Sequence, residues 1–199
     1  MVPRAAPGEL ERVRRFLNTA EHKDGRKTIP DRLRSRREAE IWLPKLELLP
    51  AGTELTKSEV QRIRKLREVL AALVLEARPA DASFLDTLRE IAEGARFRLV
   101  FGADGRPWMR AVGTGLDLAV ASLLRIFLEA KHNGRWSRFK VCGACHRVFY
   151  DYAQNRSTKW CTPLCGDQVR SRKYLRRRRE KEERIRREEE AARFREEHR

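Results

Sequence analysis

The chain has four cysteines, all between Cys142 and Cys165, and the first 141 residues have none. They form two close pairs, Cys142-Gly-Ala-Cys145 and Cys161-Thr-Pro-Leu-Cys165, with 15 residues between the pairs. Tetrahedral zinc asks for this pattern: each tight turn offers two sulfurs about 3.5–4 Å apart, on Zn–S bonds of about 2.3 Å. Two disulfides are the rival reading, but the start, MVPRAAPGELERVRRF, holds no apolar run of the kind that directs a chain to an oxidising compartment. Four unrelated thiols would not be confined to one 24-residue span, and a redox Cys-x-x-Cys leaves the second pair unexplained. The expectation is one structural Zn2+ on Cys142, Cys145, Cys161 and Cys165. Four thiolates fill the shell and leave no position for water or substrate, and the metal's binding energy folds a segment too small for a core of its own. Gly143 reads as relaxing the first turn. His146 reads as facing solvent or capping the knuckle.

Directly after Cys165 the sequence turns cationic. Arg170, Arg172, Lys173, Arg176, Arg177, Arg178 and Arg179 follow with no acid after Asp167. On a helix, Arg172, Arg176 and Arg179 share a face, with Lys173 and Arg177 beside it, and Asp167 suits the positive helix end. The zinc would anchor one end of a cationic rod whose first turns fit a duplex groove, where arginine grips phosphates or reads guanine. Arg156 and Lys159, with Arg147, would widen that surface. Beyond Arg179 the charges balance. Glu180–Arg184, Glu182–Arg186, Glu183–Arg187 and Glu189–Arg193 are spaced as i,i+4 pairs, which describes a solvated helix. Ile185, Ala191, Ala192 and Phe194 make no sustained heptad, so a homodimer has only weak support from the tail. Of the nearby aromatics, Phe149 and Trp160 are assigned to packing around the knuckle rather than to base stacking.

The 199 residues carry 45 Lys+Arg against 29 Asp+Glu, a formal charge of +16. Such an excess favours a polyanionic partner: DNA, RNA or an anionic membrane face. The most apolar stretch, 116–128, is too short to span a bilayer and carries Asp117 and Arg125, so a membrane-embedded protein is excluded. The chain is expected in the cytoplasm, associated with the nucleoid.

The cysteine-free region reads as mostly helical. Leu10, Val13, Phe16 and Leu17 have helical spacing, and residues 36–43 offer Ile41, Trp42 and Leu43 before Pro44. The clearest helix spans 57–78. Thr56 and Glu59 fit a capping box, Val60, Ile63, Leu66, Leu70, Leu73 and Ala77 form a stripe, and Pro79 stops it. A helix over 82–93 and another over 116–131 flank a β-hairpin, 96–101 with 107–112 around Gly102-Ala-Asp-Gly105. The expected fold is α+β, mostly α: a helical N-terminal domain with one hairpin (1–135), a small four-cysteine zinc finger with its basic helix (136–180) and a charged helical tail (181–199). His22, His132 and His198 have no nucleophile or carboxylate partner close in sequence, and no GxSxG, HExxH or P-loop motif occurs, so no enzyme is expected. Asn18, Thr19 and Trp42 are the first candidates for lining a small-effector pocket. A helix terminus for Asn18-Thr19 and a core role for Trp42 are the plainer readings.

Cys142-x-x-Cys145, His146-Arg-Val-Phe-Tyr-Asp151, Arg156, Lys159-Trp160-Cys161 and Cys165-Gly166, followed by Arg172 and Lys173, resemble the CGNR-type zinc finger. Phe16-Leu-Asn-Thr19, Asp31-x-Leu33, Trp42-Leu43 and the hairpin before a long apolar helix are similar to the ABATE domain that precedes this finger in a family of stress-induced transcription regulators. The resemblance implies a zinc-dependent DNA-binding regulator. Where the family spells Cys-Gly-Asn-Arg, this chain has Cys165-Gly166-Asp167-Gln168, and any contact of the family's arginine passes to Arg170 or Arg172. The alternative reading is an RNA- or ribosome-associated module, since zinc plus an arginine-rich helix serves shape and phosphate recognition equally well.

Overall fold

Helix formation begins from stripes and caps. The computed structural model describes residues 5–24, 27–75 and 82–198. Helix α1 (Leu10–Leu17) buries Leu10, Val13, Phe16 and Leu17. Helix α2 (Arg36–Lys45) starts at Ser35, whose hydroxyl accepts the Glu38 N–H. It runs two residues beyond the expected end and contains Pro44. A proline in the last turn removes only one donor, and the end closes as a Schellman motif: Glu47 takes φ 58°, its N–H donates to Pro44 O, and the Leu48 N–H donates to Leu43 O at 3.1 Å.

Helix α3 (Lys57–Leu75) carries both halves of the expected capping box. The Thr56 N–H donates to Glu59 at 2.7 Å and the Glu59 N–H to Thr56 Oγ1 at 3.2 Å. Val60, Ile63, Leu66 and Leu70 are buried along its stripe and Leu73 is half-buried; Ala77 and Pro79 lie outside the described residues. Arg67, on the same helix, is buried because it has a partner. Its guanidinium donates to both Asp31 oxygens at 2.7 and 2.6 Å and to Thr19 Oγ1 at 3.0 Å. Helices α4 (Ala82–Ala92) and α5 (Gly115–His132) complete the helical body. α5 buries Leu116, Val120, Leu123 and Leu124 and leaves Leu128 exposed.

The fold is α+β and mostly α, and its strands pair only as hairpins among the described residues. The expected ribbon is β3 (Arg96–Phe101) with β4 (Pro107–Val112), in antiparallel register with Leu99 opposite Met109. Two further hairpins flank it in sequence: β1 (His22–Asp24) with β2 (Lys27–Ile29), and β5 (Phe139–Val141) with β6 (Val148–Tyr150).

Strand β6 divides the apolar interior in two. Val148 and Tyr150 belong to the main core, while Phe149 between them belongs to a second cluster with the four cysteines. Period-2 alternation on a strand buried on both faces produces this split. Edge-to-face aromatic contacts continue the main core toward the finger, from Phe127 to Trp136 (4.7 Å), Trp136 to Phe139 (5.2 Å) and Phe139 to Tyr150 (5.5 Å).

Helix α6 (Pro163–Glu197) contrasts with all of this. It starts at Thr162, whose hydroxyl accepts the Cys165 N–H, with Pro163 at its first position. It buries only Cys165 and Gly166, and every described residue from Arg170 onward is exposed.

Candidate zinc centre and nucleic-acid interface

Two tight turns bring the four cysteines together. In the first, the His146 N–H donates to Cys142 O at 2.9 Å and the Cys142 N–H to Arg147 O at 2.9 Å, with His146 itself at φ 63° and exposed. In the second, the opening turn of α6 carries Cys165 back beside Cys161. All four sulfurs lie within 4.8 Å of one another, with Cys145–Cys161 at 3.5 Å and Cys161–Cys165 at 3.6 Å. A tetrahedron with Zn–S bonds of about 2.3 Å has edges of about 3.8 Å. The set fits one structural Zn2+, every cysteine is a free thiol, and His146 is not part of the group.

Unmetallated, the thiols compete for protons. Hydrogen bonds from Cys145 and Cys161 hold Cys142 far below the usual thiol range. The neighbouring Cys142 sulfur pushes Cys145 up to about 11, and Cys142 and Cys145 together push Cys161 up as well. Only a cation lets four thiolates coexist at this spacing, which makes metal binding a proton-releasing step.

Gly143 is at the knuckle for a different reason from the one expected. Its φ is not in the left-handed region, so the turn does not require it. It leaves room for Trp160: a Cβ on Gly143 would meet Trp160 Cζ3 at 3.0 Å, and one on Gly166 would meet Trp160 Cδ1 at 2.9 Å. The indole lies across both cysteine turns, on the two positions that carry no side chain. Phe149 and Trp160 pack against the cysteines as the sequence reading assigned them.

The loop between the cysteine pairs is held by a carboxylate that composition and spacing did not single out. Asp151 is buried. Its oxygens accept from Lys140 Nζ at 2.8 Å, the Ala153 N–H at 2.9 Å and the Thr158 N–H at 3.1 Å. Burial alone would raise its pKa, but the Lys140 ammonium and the two amides outweigh that and hold it at about 2. Arg156, at φ 51°, donates to Ser137 Oγ at 2.8 Å, and its carbonyl accepts from Lys140. Both Arg156 and Lys159, the latter beside Trp160, are exposed.

The finger is joined to the helical body by backbone contacts. Asn18, the C-cap of α1, brackets β6: its amide donates to Val148 O and its oxygen accepts the Val148 N–H, both at 2.8 Å. The Lys23 N–H of β1 donates to Cys145 O at 3.0 Å. Asn18 is therefore a helix terminus, as its plainer reading had it, and also a clasp on the finger.

On α6, Arg170 pairs with Asp167, Arg176 with Glu180 (3.5 Å) and Arg178 with Glu182 (2.7 Å). Among the described residues Arg172, Lys173, Arg177 and Arg179 form no ion pair. Farther along, the pairs run with arginine first, Arg184–Glu188 and Arg186–Glu190, instead of the glutamate-first pairs the spacing suggested. Glu180, Glu182 and Glu183 each have an arginine four residues away on both sides, so periodicity alone does not choose between the two directions.

Two family models match the chain. Residues 11–130 match ABATE, described as "Putative stress-induced transcription regulator". The chain belongs to this family. Residues 138–178 match the CGNR zinc finger, which covers the four cysteines and the first turns of α6. No curated protein matches the chain. Among the described residues no helix is long and apolar enough to cross a membrane.

Proposed function

We propose that this ABATE-family protein is a zinc-dependent DNA-binding transcription regulator in which the four-cysteine site fixes the root of α6 and residues 170–179 engage duplex DNA. The observation that carries this reading is the contrast along α6. Its first turn is built into the zinc cluster, and from Arg170 it is surrounded by solvent and carries four cations without ion-pair partners. A helix of this kind fits a major groove, and arginine and lysine supply the phosphate contacts that dominate affinity. Arg170, Arg176 and Arg178 add to the surface when phosphates displace their exposed carboxylates, and Lys159 and Arg156 extend it. The N-terminal domain receives a signal or mediates self-association.

Fluorescence anisotropy of zinc-loaded protein on duplex DNA, across salt concentrations, tests this. With four phosphates neutralised the log–log slope is about −3.6, and with all seven Lys/Arg of 170–179 about −6. Arg172→Ala with Arg177→Ala should make the slope shallower by about 2. A flat dependence, or equal competition by structured RNA and duplex DNA, would overturn the reading.

A further inference from the structure

At the joint between the helical body and the finger lies a cleft of about 360 Å³, within the roughly 300–1,000 Å³ of small-molecule sites. Arg14, Arg15 and Arg32 line it from the body and Arg147 from the finger, and no carboxylate is among its lining residues. Arg14 is already held by Glu11 at 2.6 Å. Arg15 and Arg32 form no ion pair among the described residues: Arg15 donates to the Lys45 carbonyl at 2.6 Å, and Arg32 stands 4.7 Å from the Trp42 ring centroid. Ile29, Trp42 and Leu46 supply an apolar wall beside these charges. Clustered like charges repel one another, and two guanidiniums beside an apolar wall suit an anionic head on a flat apolar body.

We propose that this cleft binds a small organic anion, a carboxylate or phosphate on a planar apolar group, with Arg15 and Arg32 holding the charge and Trp42 flanking the body. Asn18, which clasps Val148, also lines the cleft, so an occupant sits against the segment that ties the finger to the helices.

The site is tested by calorimetric titration of the zinc-loaded full-length protein with benzoate, inorganic phosphate and the neutral analogue benzamide. The assay contains no DNA, so its failure is distinguishable from failure of the DNA-binding reading. Benzoate should bind saturably at one per chain, benzamide at least tenfold more weakly, and phosphate more weakly than benzoate. Arg15→Gln, at an exposed position, and Arg32→Gln, at a half-buried one, are expected to keep zinc content and cooperative melting, and each should weaken benzoate binding at least tenfold. Absence of benzoate binding, equal binding of benzamide, or affinity unchanged in both variants would overturn the proposal. Phosphate binding as tight as benzoate would overturn the part assigned to Trp42. Loss of duplex affinity in both variants, with no benzoate heat in any form, would make these arginines DNA contacts instead.

Discussion

The two apolar clusters of this protein are held in different ways, although one strand feeds both. The larger, built around Phe16, Ile63, Leu66 and Leu123, excludes water with side chains alone, as expected for a core gathered from several helices. The smaller has four cysteines, Phe149 and the flank of Trp160, too little apolar surface to hold a loop of this length without its metal. The body can therefore lose a side chain and remain assembled in part, whereas the cysteine turns and the loop that joins them depend on one ion.

The sharpest way to break the pairing is Cys161→Ser. Zinc content should fall from one per chain to near zero and the order of the 151–165 loop should be lost, while the helical signal of α1, α3 and α5 persists in circular dichroism. Collapse of the whole fold would mean that the two clusters are not separable. The converse is Leu66→Ala, which opens a fully buried position and should cost about 2–5 kcal/mol of stability in denaturant titration, with zinc stoichiometry unchanged.

A smaller effect separates the metal from the polar lock next to it. Asp151 has its folded pKa lowered to about 2 from an ordinary value of 3.8. The stability it adds is thus fully present above pH 4 and lost as pH falls toward 2, amounting to roughly 2 kcal/mol. Asp151→Asn should lower stability by about that amount at neutral pH and flatten the profile between pH 4 and 2. Thermal melts of both proteins across that window would check the sign.

Much of this architecture is readable from spacing. The stripe of α3, the capping box at Thr56, the β3–β4 ribbon and the cysteine pattern are periodic or local signals, and each appears where the residues place it. The missing parts lack period or proximity. Strands β1, β2, β5 and β6 have three residues each, too few for alternation to register. The clasp of Asn18 joins residues 130 apart in sequence. Asp151 and Lys140 are ordinary charges until the hairpin turns them toward each other. Gly143 and Gly166 belong to different turns, and only the folded position of Trp160 makes one reason serve both. The resemblance to the CGNR finger had included Asp151 and Gly166, and their contacts now account for them physically.

Helix α6 is about 52 Å long at 1.5 Å per residue, with its base set in the knuckle and the remainder unsupported. It behaves as a lever. A tilt of about 10° at Thr162 sweeps the far tip by about 9 Å but moves the 170–179 segment only about 2–4 Å, comparable to the reach of a single hydrogen bond. The stiffness of the pivot therefore decides whether those arginines can hold a fixed register on anything they touch, and the cationic stretch occupies the part of the arm where that swing is least.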